Sequence, residues 1–546
     1  MAEPAIYFEP DGYDLSGQVL VGRQVASHGF LRAAVAAADG APLTGHGPAQ
    51  SAAAFRAAVL ALDPAAQAEF IALDQLERLA GRVCHRPDPQ LGPAAQLRLR
   101  VGAGAYALTG VVHTTATVLG QLASLTAEPL APWDALICPS RSVVESLQAL
   151  HGRQAEYLRW RFGREAQVPT LNLPLIPLGV HCRDFEFSAD ARAEARAALG
   201  IADDEVVALF VGRLSFVTKA HPLPMYLGLQ AAAERTGRKL ALIQCGWTAQ
   251  PASAKALAEG AAQFCPAVKA LFLDGREPQA ARRAWACADL FVSFSDNPQE
   301  TFGLTPIEAM AAGLPVVVSD WDGYRESVRD GVEGFRVPTW APQGGFGDAL
   351  ARVREAGTLP MDLTCWAAAA STAVDVPAAA RALATLVADP DLRRRMGEAG
   401  RARAREAYDW AGIYARHQAL WSELDARRRG ASAEELAWLA AAPRASAAGV
   451  DFFELYGHYP TATLSGATRV VLAEGVTAQG YRAIAGHALF PMDPAPERIV
   501  RPLWPLLAAG PLTVAEAAER AGLPLRPVVL AIGALAKMGL VRLSAD

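Results

Sequence analysis

Along the first 340 residues, short β-branched runs alternate with Ala/Leu/Arg segments in which apolar positions recur every three or four residues. This alternation predicts parallel sheets wrapped by helices. The predicted strands are residues 5–8, 97–101, 110–112, 135–138 and 173–177 in one set, and 206–212, 239–245, 268–273, 290–294 and 315–319 in another. Two doubly wound α/β units follow, divided near residues 179–188. Open parallel sheets place ligands beyond the carboxyl ends of their strands, so the active site is expected in a cleft between the units.

After residue 338 the pattern weakens. Residues 340–377 open with a Pro/Gly-rich loop (Ala341-Pro-Gln-Gly-Gly-Phe-Gly347) and read as an insertion. Residues 378–429 return to helical spacing, with a run of arginines that reads as a solvated face. A last unit, 451–546, ends in a helix, a turn at Gly522, a second helix, a stop at Gly539 and a β run, the order of a winged helix. The expected organisation is therefore a domain over 1–182, a second over 183–429 that includes the insertion and the trailing helices, and an accessory domain over 451–546. The second helix of that accessory domain carries Arg526 and Lys537 but little else that is basic. This argues for a protein partner or self-association rather than nucleic acid.

Composition narrows the classes further. At 546 residues, 52% apolar and 20% charged, the chain can bury several cores, which excludes disorder and coiled coils. A net charge of −5 gives no electrostatic footprint for a nucleic-acid partner. The seven cysteines are scattered, never spaced as CxxC, and read as buried hydrophobes of a reducing compartment rather than disulfides or a metal site. The amino terminus has acids where a secretory leader needs bases, so a cytoplasmic location is expected. Residues 101–127 carry no formal charge, but Gly102, Gly104, Gly110, Gly120, His113 and Gln121 interrupt them. They read as strand, loop and helix, not as a transmembrane segment.

The most informative stretch runs from Asp289 through Glu300-Thr-Phe-Gly303-Leu-Thr305-Pro-Ile-Glu308 to Pro315. A buried strand ends in a polar loop, and Thr305-Pro306-Ile307-Glu308 reads as a capping box that opens a helix. The free N–H groups of that helix start make an anion site, and Gly303 admits a ligand close to the backbone. If Glu308 only completes the cap, Glu300 is a solvated loop residue. Read functionally, the two carboxylates bracket a Phe-Gly turn and suit a polyhydroxylated ligand beside a phosphate. The strand 206–212 ends in Phe-Val-Gly-Arg213-Leu, followed by Lys219, an Arg fork and a Lys charge suited to a diphosphate. Only five residues of this chain are lysines, which makes Lys219 notable.

Together, Phe-Val-Gly-Arg213-Leu with Lys219, the run Glu300 to Val316, and then Gly323 and Glu326 resemble the donor-binding domain of family-4 retaining glycosyltransferases of GT-B fold. The resemblance is strong over 206–336 and weaker on either side. It implies that Arg213 and Lys219 grip a donor diphosphate, that Glu308 binds the nucleotide ribose, and that Glu300 lies against the transferred sugar. Phe302, Gly303, Leu304 and Thr305 would line the sugar and phosphate pocket, and Gly275 and Arg276 would pass beside the base. In the first domain it implies a phosphate-approaching loop at Gly17, where Ser16 replaces a second glycine, and places His113 near the sugar.

The implied reaction transfers a sugar from a nucleotide diphosphate sugar to an acceptor, with retention of anomeric configuration and no metal or cofactor. No Asp-x-Asp metal site is expected where a diphosphate would need one. The acceptor is unassigned, with Tyr13, Arg23, His28 and residues 82–86 as polar candidates. Two other readings remain at this point: a regulatory or binding protein acting through its C-terminal domain, and a phosphorylase or epimerase on the same fold.

Overall fold

The computed structural model describes residues 4–15, 17, 22–248, 250–446, 449–490 and 495–544. These fall into two units, Met1–Arg444 and Ala445–Asp546.

In the first unit, Pro4–Tyr7 (β1), Leu43–Gly47 (β2), Ala68–Ala72 (β3), Val83–His85 (β4), Ala107–Val111 (β5) and Ala135–Ile137 (β6) pair in parallel, in the order β3-β2-β1-β4-β5-β6. A second parallel sheet is built from Val206–Val211 (β7), Leu240–Gly246 (β8), Val268–Asp274 (β9), Leu290–Ser293 (β10), Val316–Ser319 (β11) and Gly334–Val337 (β12), in the order β12-β11-β10-β7-β8-β9. The two sheets have the same doubly wound topology, as the sequence pattern implied. Their strand order reverses between β1 and β4, and between β7 and β10. Strands β8, β10 and β11 are buried along their whole length, as helices on both faces of a sheet require.

Several expectations are corrected. Residues 97–101 are helical, within Leu91–Val101. Leu91, Ala94, Ala95, Arg98 and Leu99 form the buried face, and the run Leu-Arg-Leu-Arg-Val mimics strand alternation only if Arg98 is counted as exposed. Its guanidinium is fully buried, forked onto Asp134 at 2.6 and 2.8 Å. Residues 173–177 contribute a single bridge, Leu175 to Cys138, rather than a strand. Strands β2, β3, β4 and β12 were not anticipated; β2, Leu-Thr-Gly-His-Gly, is wholly buried yet lacks an apolar run.

The trailing helices do not all belong to the second sheet. Val376–Ala388 packs Leu383, Leu386 and Val387 there. Trp410–Arg429 instead sends Trp410, Ile413, Tyr414, Trp421 and Leu424 into the first sheet's core, beside Phe30 and Trp133. Trp421 Nε1 donates to Thr109 of β5 at 3.2 Å. The expected domain 183–429 thus yields its last helix to the other body. The two passes of the chain between the bodies lie side by side, with Val180 N donating to Tyr408 O at 2.8 Å and Trp410 N to Val180 O at 3.1 Å.

The insertion is a helical hairpin, Asp348–Glu355 and Met361–Ala369, stapled at its base by an antiparallel ribbon of Thr339–Trp340 (β13) and Ala373–Val374 (β14). Residues 101–127 hold β5 and a short helix, Leu119–Ser124, and no helix among the described residues is long and apolar enough to cross a membrane. All seven cysteines are buried and free.

The unit Ala445–Asp546 has its own core, including Val470, Leu503, Leu507, Val528, Ile532 and Leu535. Helices Glu497–Ala509, Val514–Arg520 and Leu525–Lys537 accompany an antiparallel sheet of Arg469–Leu472 (β15), Leu512–Thr513 (β16) and Val541–Ser544 (β17), ordered β16-β15-β17.

Candidate functional site

Both sheets direct the carboxyl ends of their strands toward one cleft of about 600 Å³. At the switch point of the second sheet, β7 delivers Gly212 and Arg213, and β10 delivers Ser293 and then Ser295. Lys219, Gly275 and Glu300 to Thr305 line the same wall, with Glu308. The first body contributes Arg23, from the first turn of the helix Gly22–Ala37, and His113, Thr114 and Thr117 from the loop after β5.

Lys219 Nζ stands 3.4 Å from Glu300 Oε2. Asn297 ties their two loops together, its Nδ2 donating to Val217 O at 3.0 Å and its Oδ1 accepting from Gln299 N at 3.0 Å. Arg213 forms no ion pair among the described residues. Burial lowers its pKa, an effect opposed by the negative charge of Asp362. The wall therefore holds a half-buried guanidinium that forms no ion pair among the described residues and has only the more distant charge of Asp362 beside it, a state that an anionic ligand would relieve.

The helix Leu304–Ala311 is capped by Gly303, with no side-chain cap. This overturns the capping box: Thr305 and Glu308 lie inside the helix, and Glu308 faces the cleft, where burial raises its pKa to about 7. The uncapped first-turn N–H groups and the helix dipole stay available to an anion. Gly303 has φ +83°, and a Cβ there would come within 1.9 Å of the Tyr324 ring. Gly275 is needed for contact rather than conformation, since a Cβ would fall 2.9 Å from the Gly246 Cα. Gly303→Ala is expected to displace the helix start and lower stability by about 1–3 kcal/mol, read by urea denaturation.

His113 is held neutral, its pKa pushed down to about 4 by burial and then by the Arg23 charge. Its carbonyl accepts from Thr301 Oγ1 at 2.9 Å, and Ser140 Oγ donates to Thr301 O at 2.7 Å, so the two bodies meet at the cleft rim.

Of the anticipated site residues, Arg213, Lys219, Glu300, His113, Gly275, Phe302, Gly303, Leu304, Thr305 and Glu308 line this cleft. Two do not. Arg276 is exposed and folds back on Asp274 at 2.7 Å, satisfied by a neighbour two residues away. Gly17 sits in an exposed bend outside the lining, and Ser16 lies outside the described residues.

Among the acceptor-side candidates, only Arg23 lines the cleft. Tyr13 is a core residue that donates to Tyr7 O, and His28 is outside the lining. Arg82 is bound to Thr44 and Glu69, His85 to Thr109, and Arg86 to Asp88. Trp247, Gln299, Tyr324 and Asp362 were missed. Trp247 directly follows an apolar strand run and was legible as a strand-end residue. Asp362 comes from the insertion, where no motif marks it, and accepts from Gln299 Nε2 at 3.1 Å.

Residues 191–355, which hold most of this constellation, match the family described as Glycosyl transferases group 1. Curated relatives include the D-inositol 3-phosphate glycosyltransferases of Nocardia farcinica, 34% identical over 148 residues (27% of this chain, 32% of that protein), and Geodermatophilus obscurus, 34% identical over 172 residues (30% and 36%). The chain thus spans about a third of the length of these relatives. Among solved structures, Anabaena HepE in complex with UDP and glucose superposes with a TM-score of 0.50 at 16% identity, covering 78% of this chain and all of that one. That likeness, with the two sheets, establishes a GT-B fold.

Proposed function

We propose that this protein is a retaining, metal-independent glycosyltransferase that moves a sugar from a nucleotide diphosphate sugar to an acceptor hydroxyl. The observation that carries this reading is the convergence of Arg213, Lys219 and an uncapped helix start with Glu300 and Glu308 in one interdomain cleft. In this reading Arg213, Lys219 and the helix N–H groups neutralise the departing diphosphate, which lowers the barrier to C–O cleavage. Glu308 accepts from the ribose hydroxyls, and Glu300 both orients Lys219 and binds the sugar. Neutral His113 offers a hydrogen bond to the sugar without adding charge. The leaving phosphate takes the acceptor proton on the face it vacates, which accounts for retention. The accessory domain, read as a winged helix from its helix and strand order, would serve contact with a protein or a second copy.

The test is transfer itself. UDP-glucose is the first donor to try because HepE binds UDP and glucose, and a phosphorylated polyol is the first acceptor because of the names of the curated relatives. A bound nucleoside diphosphate should stabilise the protein by about 2.7 kcal/mol at a hundred times its Kd. Neither stabilisation nor transfer across a panel of donor bases would defeat the proposal.

The raised pKa of Glu308 gives a pH signature. Ribose hydroxyls donate best to the ionised carboxylate, so nucleotide affinity should increase as pH rises through about 7 and then level off. The free protein should behave oppositely. Because its folded pKa exceeds the ordinary carboxylate value, Glu308 loses stabilising influence between the ordinary range and about 7. Glu308→Gln is expected to flatten both trends, as measured by calorimetric titration and denaturant midpoints between pH 5.5 and 8.5.

A further inference from the structure

We propose that the far end of the helix Arg141–Phe162 is a docking surface for an anionic lipid bilayer. The helix starts at the cleft rim, capped by Ser140, and its 22 residues extend roughly 33 Å. Only Val143 and Leu147 are fully buried, both near the start. Toward the other end the helix outruns the body that supports it, leaving Tyr157 55%, Trp160 75% and Phe162 72% exposed. Aromatic rings of this size left in water are costly unless something covers them.

The surrounding charge selects the cover. Arg153, Arg159, Arg161 and Arg164 interleave with the rings, while Glu156 and Glu165 are the only acids between 152 and 165, so the segment is positive on a chain of net charge −5. None of these four arginines forms an ion pair among the described residues. Tyr157 and Trp160 lie 5.6 Å apart between ring centroids, and the Arg161 guanidinium lies 5.9 Å from the Phe162 ring. Rings at the headgroup level with guanidiniums on lipid phosphates satisfy both halves of this surface. A second copy packed against the same helix end would set arginines against arginines. No helix among the described residues can span a bilayer, so the contact is interfacial. It lies at the end of this helix opposite the Ser140 cap at the cleft rim.

The experiment is sedimentation of the full chain with vesicles of phosphatidylcholine alone or with a minority of phosphatidylglycerol. Binding is expected to the anionic vesicles, to weaken as salt rises, and to fall about tenfold or more in Trp160→Ala/Phe162→Ala. Arg159→Gln/Arg161→Gln should lose the preference for anionic over neutral lipid. All four positions are exposed, so an unchanged thermal midpoint is expected to show that the variants fold. Equal sedimentation of wild type and Trp160→Ala/Phe162→Ala would overturn the proposal, as would equal binding to both vesicle types. So would a wild-type dimer that binds no vesicles and that the aromatic double variant converts to monomer. None of these outcomes depends on the chemistry of the cleft.

Discussion

Arg213→Ala is expected to lower kcat/KM for sugar transfer by about 10²–10⁴ while leaving the thermal midpoint nearly unchanged. The asymmetry follows from its surroundings. Arg213 has no ion-pair partner among the described residues, so its removal strands no buried carboxylate, and burial already disfavours its charge in the free protein. In the proposed reaction most of its interaction energy would be realised when an anion occupies the cleft, and most fully when a leaving diphosphate carries its greatest charge. Lys219→Ala should be nearly as damaging to turnover but less silent structurally, because it leaves Glu300 without the cation 3.4 Å away. Initial-rate kinetics, with nucleotide affinity measured separately, distinguish the two. Undiminished transfer by both variants would remove the cation pair from the reaction.

The largest loss of stability should come from Arg98, far from the chemistry. Arg98→Met is expected to cost about 3–5 kcal/mol, because it leaves Asp134 as an uncompensated buried charge. Asp134 is more than a salt-bridge partner: its oxygens also accept the backbone N–H of Leu108 at 2.9 Å and of Ala131 at 2.7 Å. Replacing both members by apolar residues, often harmless for a buried pair, should fail here because it orphans those two backbone donors. Urea denaturation of Arg98→Met and of Arg98→Met/Asp134→Leu checks both statements. Recovery in the double variant would show that the backbone bonds matter little.

The same pair marks where sequence reading broke down. A buried, paired arginine is indistinguishable by pattern from a solvated one, so residues 97–101 read as a strand yet fold as the end of a helix. Five of the six strands of the second sheet were legible, helped by unbroken apolar runs such as Val206–Val211 and Val316–Val318, whereas β12 was not. The first sheet was less so, since β2 buries Thr44 and His46 beside two glycines. In the candidate site, residues at strand ends and helix starts were placed because local chemistry dictates their position. Arg276 failed because nothing local shows that Asp274 captures it. Asp362 was invisible because only tertiary folding brings the insertion back to Gln299. The helix start expected at Thr305 lies two residues earlier, since Gly303 is the capping residue and leaves Glu308 inside the helix, facing the cleft.

The paired crossings at Val180 and Asp409 bear on how the cleft opens. Two parallel backbone legs bonded to each other resist twisting and sliding, yet bend readily about the line that joins them. Such a pair of crossings would favour a swing of the two sheet bodies about one axis, like a leaf hinge, against the Ser140–Thr301 and Thr301–His113 bonds that join them at the cleft rim. Arg213 and Arg23 would then approach or separate along a single coordinate, so one rotation would set both the width of the cleft and the strength of its positive field.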